Sequence, residues 1–191
     1  MPIELVNLCK SFEGCTVLSN LSHVFPDRTI TCILGPSGCG KTTLLNLILS
    51  LIAPDSGEIY GVPVGCIAAV FQEDRLISHL SAFSNVRIVL KRSYPVSDIL
   101  SALDAVGLGA AAHQPVRELS GGMQRRVALV RALLADSPLV IMDEPFKGLD
   151  DDTRAAVVTF TRQKLQHRTA LIVTHDPTEA AMLGAEIFEL K

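Results

Sequence analysis

The sequence lacks the features of an exported or membrane-spanning chain. Its first residues, Met1 to Val6, contain no basic region followed by an apolar stretch, so they do not resemble a secretion signal. The longest apolar runs are far shorter than the roughly 20 residues that a bilayer-spanning helix needs. These absences predict a cytoplasmic chain.

Cysteine pairs and an excess of positive charge are also missing. The five cysteines are an odd number and include no Cys-x-x-Cys pair, which predicts reduced thiols rather than disulfides or a metal site. The formal net charge is −3, whereas binding to nucleic acid needs clustered lysines and arginines. We therefore expect no nucleic-acid partner.

Hydrophobic residues make up 48% of the 191 residues, which predicts one globular domain over residues 1–191.

The stretch from Gly35 to Thr43 is the clearest chemical motif. It fits the phosphate-binding pattern G-x-x-x-x-G-K-[ST] and lies between a strand-like and a helix-like apolar run, as that pattern requires. Backbone N–H groups of such a loop bind phosphate oxygens, Lys41 adds a positive charge and Thr42 can offer its hydroxyl to Mg²⁺. The predicted nucleotide-binding residues here are Gly35, Pro36, Ser37, Gly38, Cys39, Gly40, Lys41, Thr42 and Thr43.

Two adjacent carboxylates follow a second apolar strand. Leu139 to Met142 predicts a buried strand that delivers Asp143 and Glu144 at its carboxyl end, the edge at which ligands bind in doubly wound sheets. We expect Asp143 to hold Mg²⁺, directly or through water. We expect Glu144 to orient and deprotonate the water that attacks the γ-phosphate.

A second Gly-containing helix entry lies at Leu119 to Gln124. By spacing alone it could be only a helix start, but Ser120, Gly121 and Gly122 would expose N–H groups at the positive end of a long helix, ready for another phosphate. A single nucleotide cannot easily fill both phosphate sites if they lie on different faces.

The remaining pattern predicts an α/β fold with a largely parallel sheet. The first 25 residues alternate apolar and polar positions around Glu13-Gly14, which indicates antiparallel strands. A strand at Cys66 to Phe71, expected to be buried on both faces, delivers Gln72. A helix is expected from Asp98 with Ser97 as its cap.

A second long helix is predicted from Met123 to Ala135, with its arginines on the face opposite Val127, Val130 and Leu134.

Together these motifs resemble the nucleotide-binding domain of an ATP-binding cassette (ABC) transporter over about residues 3 to 190. Gly35–Thr43 corresponds to the Walker A motif, Leu119–Gln124 to the signature and Leu139–Glu144 to the Walker B motif. Many NTPases and kinases share a phosphate loop, whereas the signature in this order is highly specific. The resemblance implies a P-loop NTPase fold with a RecA-like core, an N-terminal antiparallel β subdomain and an α-helical insertion at about 76–134.

The resemblance also implies roles for residues that carry no signal by themselves. Phe12 matches the aromatic residue that stacks on adenine, with Val17 beside it. Gln72 matches the Q-loop glutamine, whose amide approaches Mg²⁺. His175 matches the switch histidine, which contacts the γ-phosphate and helps to position Glu144.

Asp150 matches the D-loop, which crosses the dimer interface to the opposing nucleotide. Lys147-Gly148 replaces the more usual Ser-Ala of that loop. In this family two ATP molecules are held in a head-to-tail dimer, so the resemblance implies that Ser120, Gly121 and Gly122 act on the nucleotide of a second copy.

The resemblance implies an ATP hydrolase with ATP and Mg²⁺ as cofactors, located at the inner face of the cell membrane. Its implied partners are a second copy, separate permease subunits that transport a small solute inward, and indirectly a solute-binding protein. Phrases such as Asp143–Phe146 are similar to the nitrate, sulfonate and taurine importer group. We expect the permease contact at Arg75 to Phe83, and no C-terminal regulatory domain.

Two other classes stay open. One is a soluble ABC protein that assembles machinery or acts on DNA, ribosomes or Fe–S clusters, although no long coiled-coil insertion or second cassette is present. The other is a P-loop small-molecule kinase, against which the signature and the switch histidine argue. The transported solute is not encoded in a chain of this type.

Overall fold

A computed structural model describes all residues from Met1 to Lys191. Its strands are β1 (Ile3–Phe12), β2 (Cys15–Phe25), β3 (Ile30–Leu34), β4 (Ser56–Tyr60), β5 (Ile67–Val70), β6 (Leu139–Asp143), β7 (Thr169–Val173) and β8 (Glu186–Glu189). Its helices are α1 (Lys41–Ile48), α2 (Ala82–Arg87), α3 (Val96–Ala105), α4 (Gly121–Leu134), α5 (Asp151–Lys164) and α6 (Pro177–Leu183). None of these helices is both long enough and apolar enough to cross a bilayer.

The strands form two sheets, which confirms the predicted α/β fold with an antiparallel N-terminal sheet. The first sheet has the order β2-β1-β4 and is antiparallel. The second has the order β5-β6-β7-β3-β8, with parallel pairing throughout. The predicted turn joins β1 to β2, with left-handed backbone at Glu13 (φ 48°) and Gly14 (φ 82°), as tight hairpins require.

Alternate residues of the central strands serve two different cores. Leu139 and Ile141 of β6 belong to a cluster that also contains α1 and the apolar face of the antiparallel sheet. Val140 and Met142 belong to the larger cluster, which includes residues from α2 to α6. Because both faces of β6 are covered, its two carboxylates emerge only at the carboxyl edge of the sheet.

Two local predictions about this framework are wrong. Strand β5 is at the edge of the sheet and pairs only with β6, so Ile67 and Ala69 are half-buried rather than buried on both faces. Helix α3 begins at Val96 with Pro95 as the preceding extended residue, because the proline ends the loop directly before the helix. The Ser97 hydroxyl therefore donates to the Asp98 side chain instead of capping α3.

Candidate active site

The predicted phosphate loop connects β3 to α1 and depends on glycine at several positions. Gly38 (φ 84°) and Gly40 (φ 97°) have left-handed backbone, which glycine adopts at little cost. A Cβ at Gly40 would lie 2.8 Å from Val17, so the loop packs directly against this residue. A Cβ at Gly35 would overlap the carbonyl oxygen of Leu190. The loop is thus fixed between β2 and the end of the chain.

The polar side chains of the loop connect it to itself and to β6. The Lys41 ammonium donates to the carbonyl oxygens of Gly35 and Pro36, each at 2.8 Å. The Thr42 hydroxyl donates to Asp143 Oδ2 at 2.7 Å. Asp143 is buried, and this burial raises the pKa of its carboxyl group, while the bond from Thr42 acts in the opposite direction. The two oxygens expected to bind Mg²⁺ are therefore in contact.

Glu144 follows β6 directly in a constrained conformation. Its backbone lies in the left-handed region (φ 46°), which is uncommon for a residue with a side chain. Its N–H donates to the Val173 carbonyl at 2.9 Å, so the end of β7 holds this conformation. Oε1 lies 3.8 Å from Nδ1 of His175, and Oε2 lies 2.6 Å from the Lys147 ammonium. The Lys147 side chain lowers the pKa of Glu144, while burial acts in the opposite direction.

One pocket of about 290 Å³ brings many of the predicted groups together. Its walls are formed by Val17, Ser37, Gly38, Gly40, Lys41, Thr42, Thr43, Gln72, Asp143, Glu144 and Val173. The lining thus combines the loop backbone and a lysine, which suit phosphate, with hydroxyl, amide and carboxylate groups. The arrangement can bind a polyphosphate and act on its terminal group.

Phe12 and His175 do not line this pocket, and both side chains are exposed. The Phe12 side chain is 45% exposed, and the Lys10 ammonium lies 5.2 Å from the centre of its ring. The His175 side chain is 68% exposed and approaches the site through Glu144. Pro36 contributes its carbonyl to Lys41, and the Cys39 sulfur lies 3.9 Å from the same ammonium.

The signature and D-loop residues are not part of this pocket in their own chain. Ser120 precedes α4, and its hydroxyl accepts the Met123 N–H at 3.3 Å. Asp150 precedes α5 in the same way and accepts the Thr153 N–H at 3.0 Å. The two helix starts are neighbours, because a Cβ at Gly122 would lie 3.7 Å from the Gly148 carbonyl oxygen. Gly121 is exposed beside them.

Arg125 is a central residue whose role the sequence does not reveal. It is predicted on the face of α4 opposite Val127, Val130 and Leu134, and it is only 6% exposed. Its guanidinium donates to the carbonyl oxygens of Phe71, Asp143 (2.6 Å) and Glu144 (2.8 Å), and it pairs with Asp74 at 2.8 Å. One side chain thus connects the signature helix, the segment around Gln72 and the backbone at the end of β6. Helical periodicity gives no signal for it, because its partners are backbone oxygens of distant segments.

Replacement of Arg125 by Met should lower the free energy of unfolding by about 3 kcal/mol, because Asp74 would lose its buried partner and several carbonyl oxygens would lose a donor. Urea unfolding of both proteins measures this difference. Arg117→Met is a suitable control, since Arg117 is exposed. A loss below about 1 kcal/mol would mean that water replaces the guanidinium, against the assigned role.

In the parallel sheet the phosphate loop follows β3, and Asp143-Glu144 lies at the end of β6, which β7 separates from β3. This arrangement defines a P-loop nucleotide-binding protein. The family model described as "ABC transporter" matches residues 18–147, which include the phosphate loop, the signature and the carboxylate pair. The chain belongs to the ABC transporter family.

Curated relatives and solved structures agree with this membership. The Fe(3+) ions import ATP-binding protein FbpC of Photobacterium profundum is 36% identical over 99% of this chain and 58% of its own length. The sulfate/thiosulfate import ATP-binding protein CysA of Acinetobacter baylyi is 35% identical over 98% of this chain and 59% of its own length. This chain therefore spans less than two thirds of these relatives.

Among solved structures, the dimeric post-hydrolysis state of the ATP-binding cassette MJ0796 bound to ADP and Pi is similar to this chain over nearly its whole length. Its TM-score is 0.86 with 29% sequence identity, covering 99% of this chain and 94% of the other. The similarity of fold extends over both sheets and the helical region.

Proposed function

We propose that this chain hydrolyses ATP as one half of a head-to-tail dimer and thereby powers the import of a small solute through a separate permease. The observation that carries the proposal is the contact between Thr42 and Asp143, 101 residues apart, in a pocket that also contains Lys41 and Glu144. This contact joins the phosphate loop to the carboxylates that hydrolysis needs.

The chemistry follows from the groups in this pocket. Loop N–H groups and the Lys41 ammonium bind the β- and γ-phosphates of ATP. Glu144 orients a water molecule and accepts its proton, and His175 next to it contacts the γ-phosphate. Oxygen ligands are the ones that Mg²⁺ prefers, so Thr42, Asp143 and Gln72 suit this ion, which would neutralise charge on the phosphates. Phe12 and Val17 receive the adenine.

The second partner that we propose is another copy of this chain. Ser120, Gly121 and Gly122 lie outside the pocket of their own chain, so their helix start is available to a nucleotide held by a neighbour. Asp150, on the adjacent helix start, would cross the same interface. The description of MJ0796 as dimeric supports this arrangement.

The import role rests on the relatives, whose names describe import of iron and of sulfate or thiosulfate. We propose a permease as a direct partner, a solute-binding protein as an indirect one, and a location at the inner face of the membrane. The finer similarity to nitrate, sulfonate and taurine importers rests on short phrases and has no support in these relatives, so it stays a hypothesis. Residues 1–191 are proposed to form one domain, with the region 76–134 as its helical insertion.

Ser120→Arg tests the shared site. We expect ATP affinity within about threefold of the parent protein but turnover reduced at least about 100-fold, because the new side chain blocks only the contact to the neighbour's phosphate. Phosphate release and fluorescent-nucleotide titration measure the two quantities. Ser97→Arg, at an exposed position of another helix, is the matched control. Normal hydrolysis by Ser120→Arg would refute the shared site.

A further inference from the structure

Lys147 is a positive residue next to the proposed base that the proposed mechanism does not use. It lies in the D-loop, where the family more usually has serine. Its ammonium lies 2.6 Å from Oε2 of Glu144, and the two side chains are 56% and 21% exposed. Lys147 does not line the phosphate pocket, whereas Glu144 does. The lysine therefore approaches the carboxylate from outside the pocket.

The two oxygens of the Glu144 carboxylate have different surroundings. Oε2 is inaccessible to solvent and has no hydrogen bond of good angular geometry, and the Lys147 ammonium lies 2.6 Å from it. Oε1 lies 3.8 Å from Nδ1 of His175. Burying a charged oxygen without a partner is costly, so the ion pair favours one orientation of the carboxylate over its rotated alternatives.

The backbone keeps Lys147 in place for this contact. The Lys147 N–H donates to the Glu144 carbonyl at 3.3 Å, which closes a tight turn. Gly148, directly after it, has φ 77°, a conformation that suits glycine. An ion pair with a half-exposed lysine adds little to folding stability. Its main physical effect is therefore on the orientation of Glu144.

We propose that Lys147 is a positioning residue for hydrolysis, which holds Oε2 of Glu144 so that Oε1 is presented to the attacking water. This inference rests on the proposed ATPase function. It gives the Ser-to-Lys departure in the D-loop a role within the chain's own site rather than across a dimer interface.

The test is the steady-state ATPase activity of Lys147→Met and Lys147→Arg. Met is similar in length to Lys but carries no charge. The Glu144 carboxylate would therefore lose its preferred orientation, and kcat should fall roughly tenfold. KM for ATP should stay within about twofold, since Lys147 does not reach the phosphate pocket. Arg retains the charge and should keep at least about half of kcat. Lys164→Met, at the far end of α5, is the control for loss of a lysine.

A second readout does not depend on turnover. In the Glu144→Gln background the ion pair is absent, so adding Lys147→Met should leave the ATP-dependent dimer fraction in sedimentation unchanged. A smaller dimer fraction would show that Lys147 acts across the interface, which overturns the proposal. A kcat for Lys147→Met equal to or above that of the parent protein would also overturn it.

These outcomes are distinct from a failure of the proposed function. That failure would appear as no ATP hydrolysis by the parent protein, or as undiminished turnover in Glu144→Gln, and it would refute this inference as well. Active parent protein, inactive Glu144→Gln and unchanged Lys147→Met together would refute only the positioning role.

Discussion

Glu144→Gln is expected to lower ATP turnover roughly 100- to 10,000-fold, the range that a general base contributes. The amide has the shape of the carboxylate but cannot accept a proton from water. ATP affinity should change less than about threefold, because the phosphate-binding groups are the loop amides and Lys41, which are unaltered. Phosphate release and nucleotide titration measure the two effects separately.

The control for this experiment is Glu186→Gln, which removes an exposed carboxylate from β8. It should hydrolyse ATP at the rate of the parent protein. Undiminished turnover in Glu144→Gln would refute the assignment of Glu144 as the base, whatever the effect on binding.

Lys41→Ala is expected to weaken ATP binding at least about 30-fold and to abolish measurable turnover. In the parent protein the Lys41 ammonium supplies positive charge to the phosphates. A hydrogen bond to a charged group contributes roughly 1.5–3 kcal/mol to the free energy of binding. It also bonds the carbonyl oxygens of Gly35 and Pro36, so the loop loses an internal connection. Titration with a fluorescent ATP analogue measures the affinity.

Lys91→Ala is the matched control, because Lys91 is exposed and pairs with Asp136 far from the phosphate loop. Its affinity for ATP should equal that of the parent protein. Tight ATP binding by Lys41→Ala would mean that the nucleotide does not use the predicted loop.

The residues predicted most accurately are those whose spacing itself determines the chemistry. Gly35 to Thr43 must form a loop between a strand and a helix, and parallel strands end at a common edge, which brings Asp143 to Thr42. The antiparallel N-terminal strands follow from alternation of apolar and polar residues, and the parallel sheet follows from strands that alternate with helices.

The rest depends on tertiary contacts that sequence patterns do not record. The spacing of the arginines in α4 does not show that Arg125 is buried, where carbonyl oxygens from two strand ends satisfy its donors. The start of α3 depended on Pro95 rather than on the cap residue Ser97. The ion pair between Lys147 and Glu144 requires the turn after β6, which the sequence marks only by an unusual lysine.

The most direct test of the account is sedimentation of the Glu144→Gln protein with and without ATP and Mg²⁺. If each copy completes the pocket of the other, ATP should convert monomers into dimers, and adding Ser120→Arg to the same protein should keep it monomeric. A Glu144→Gln protein that binds ATP tightly and stays monomeric would contradict the shared catalytic site.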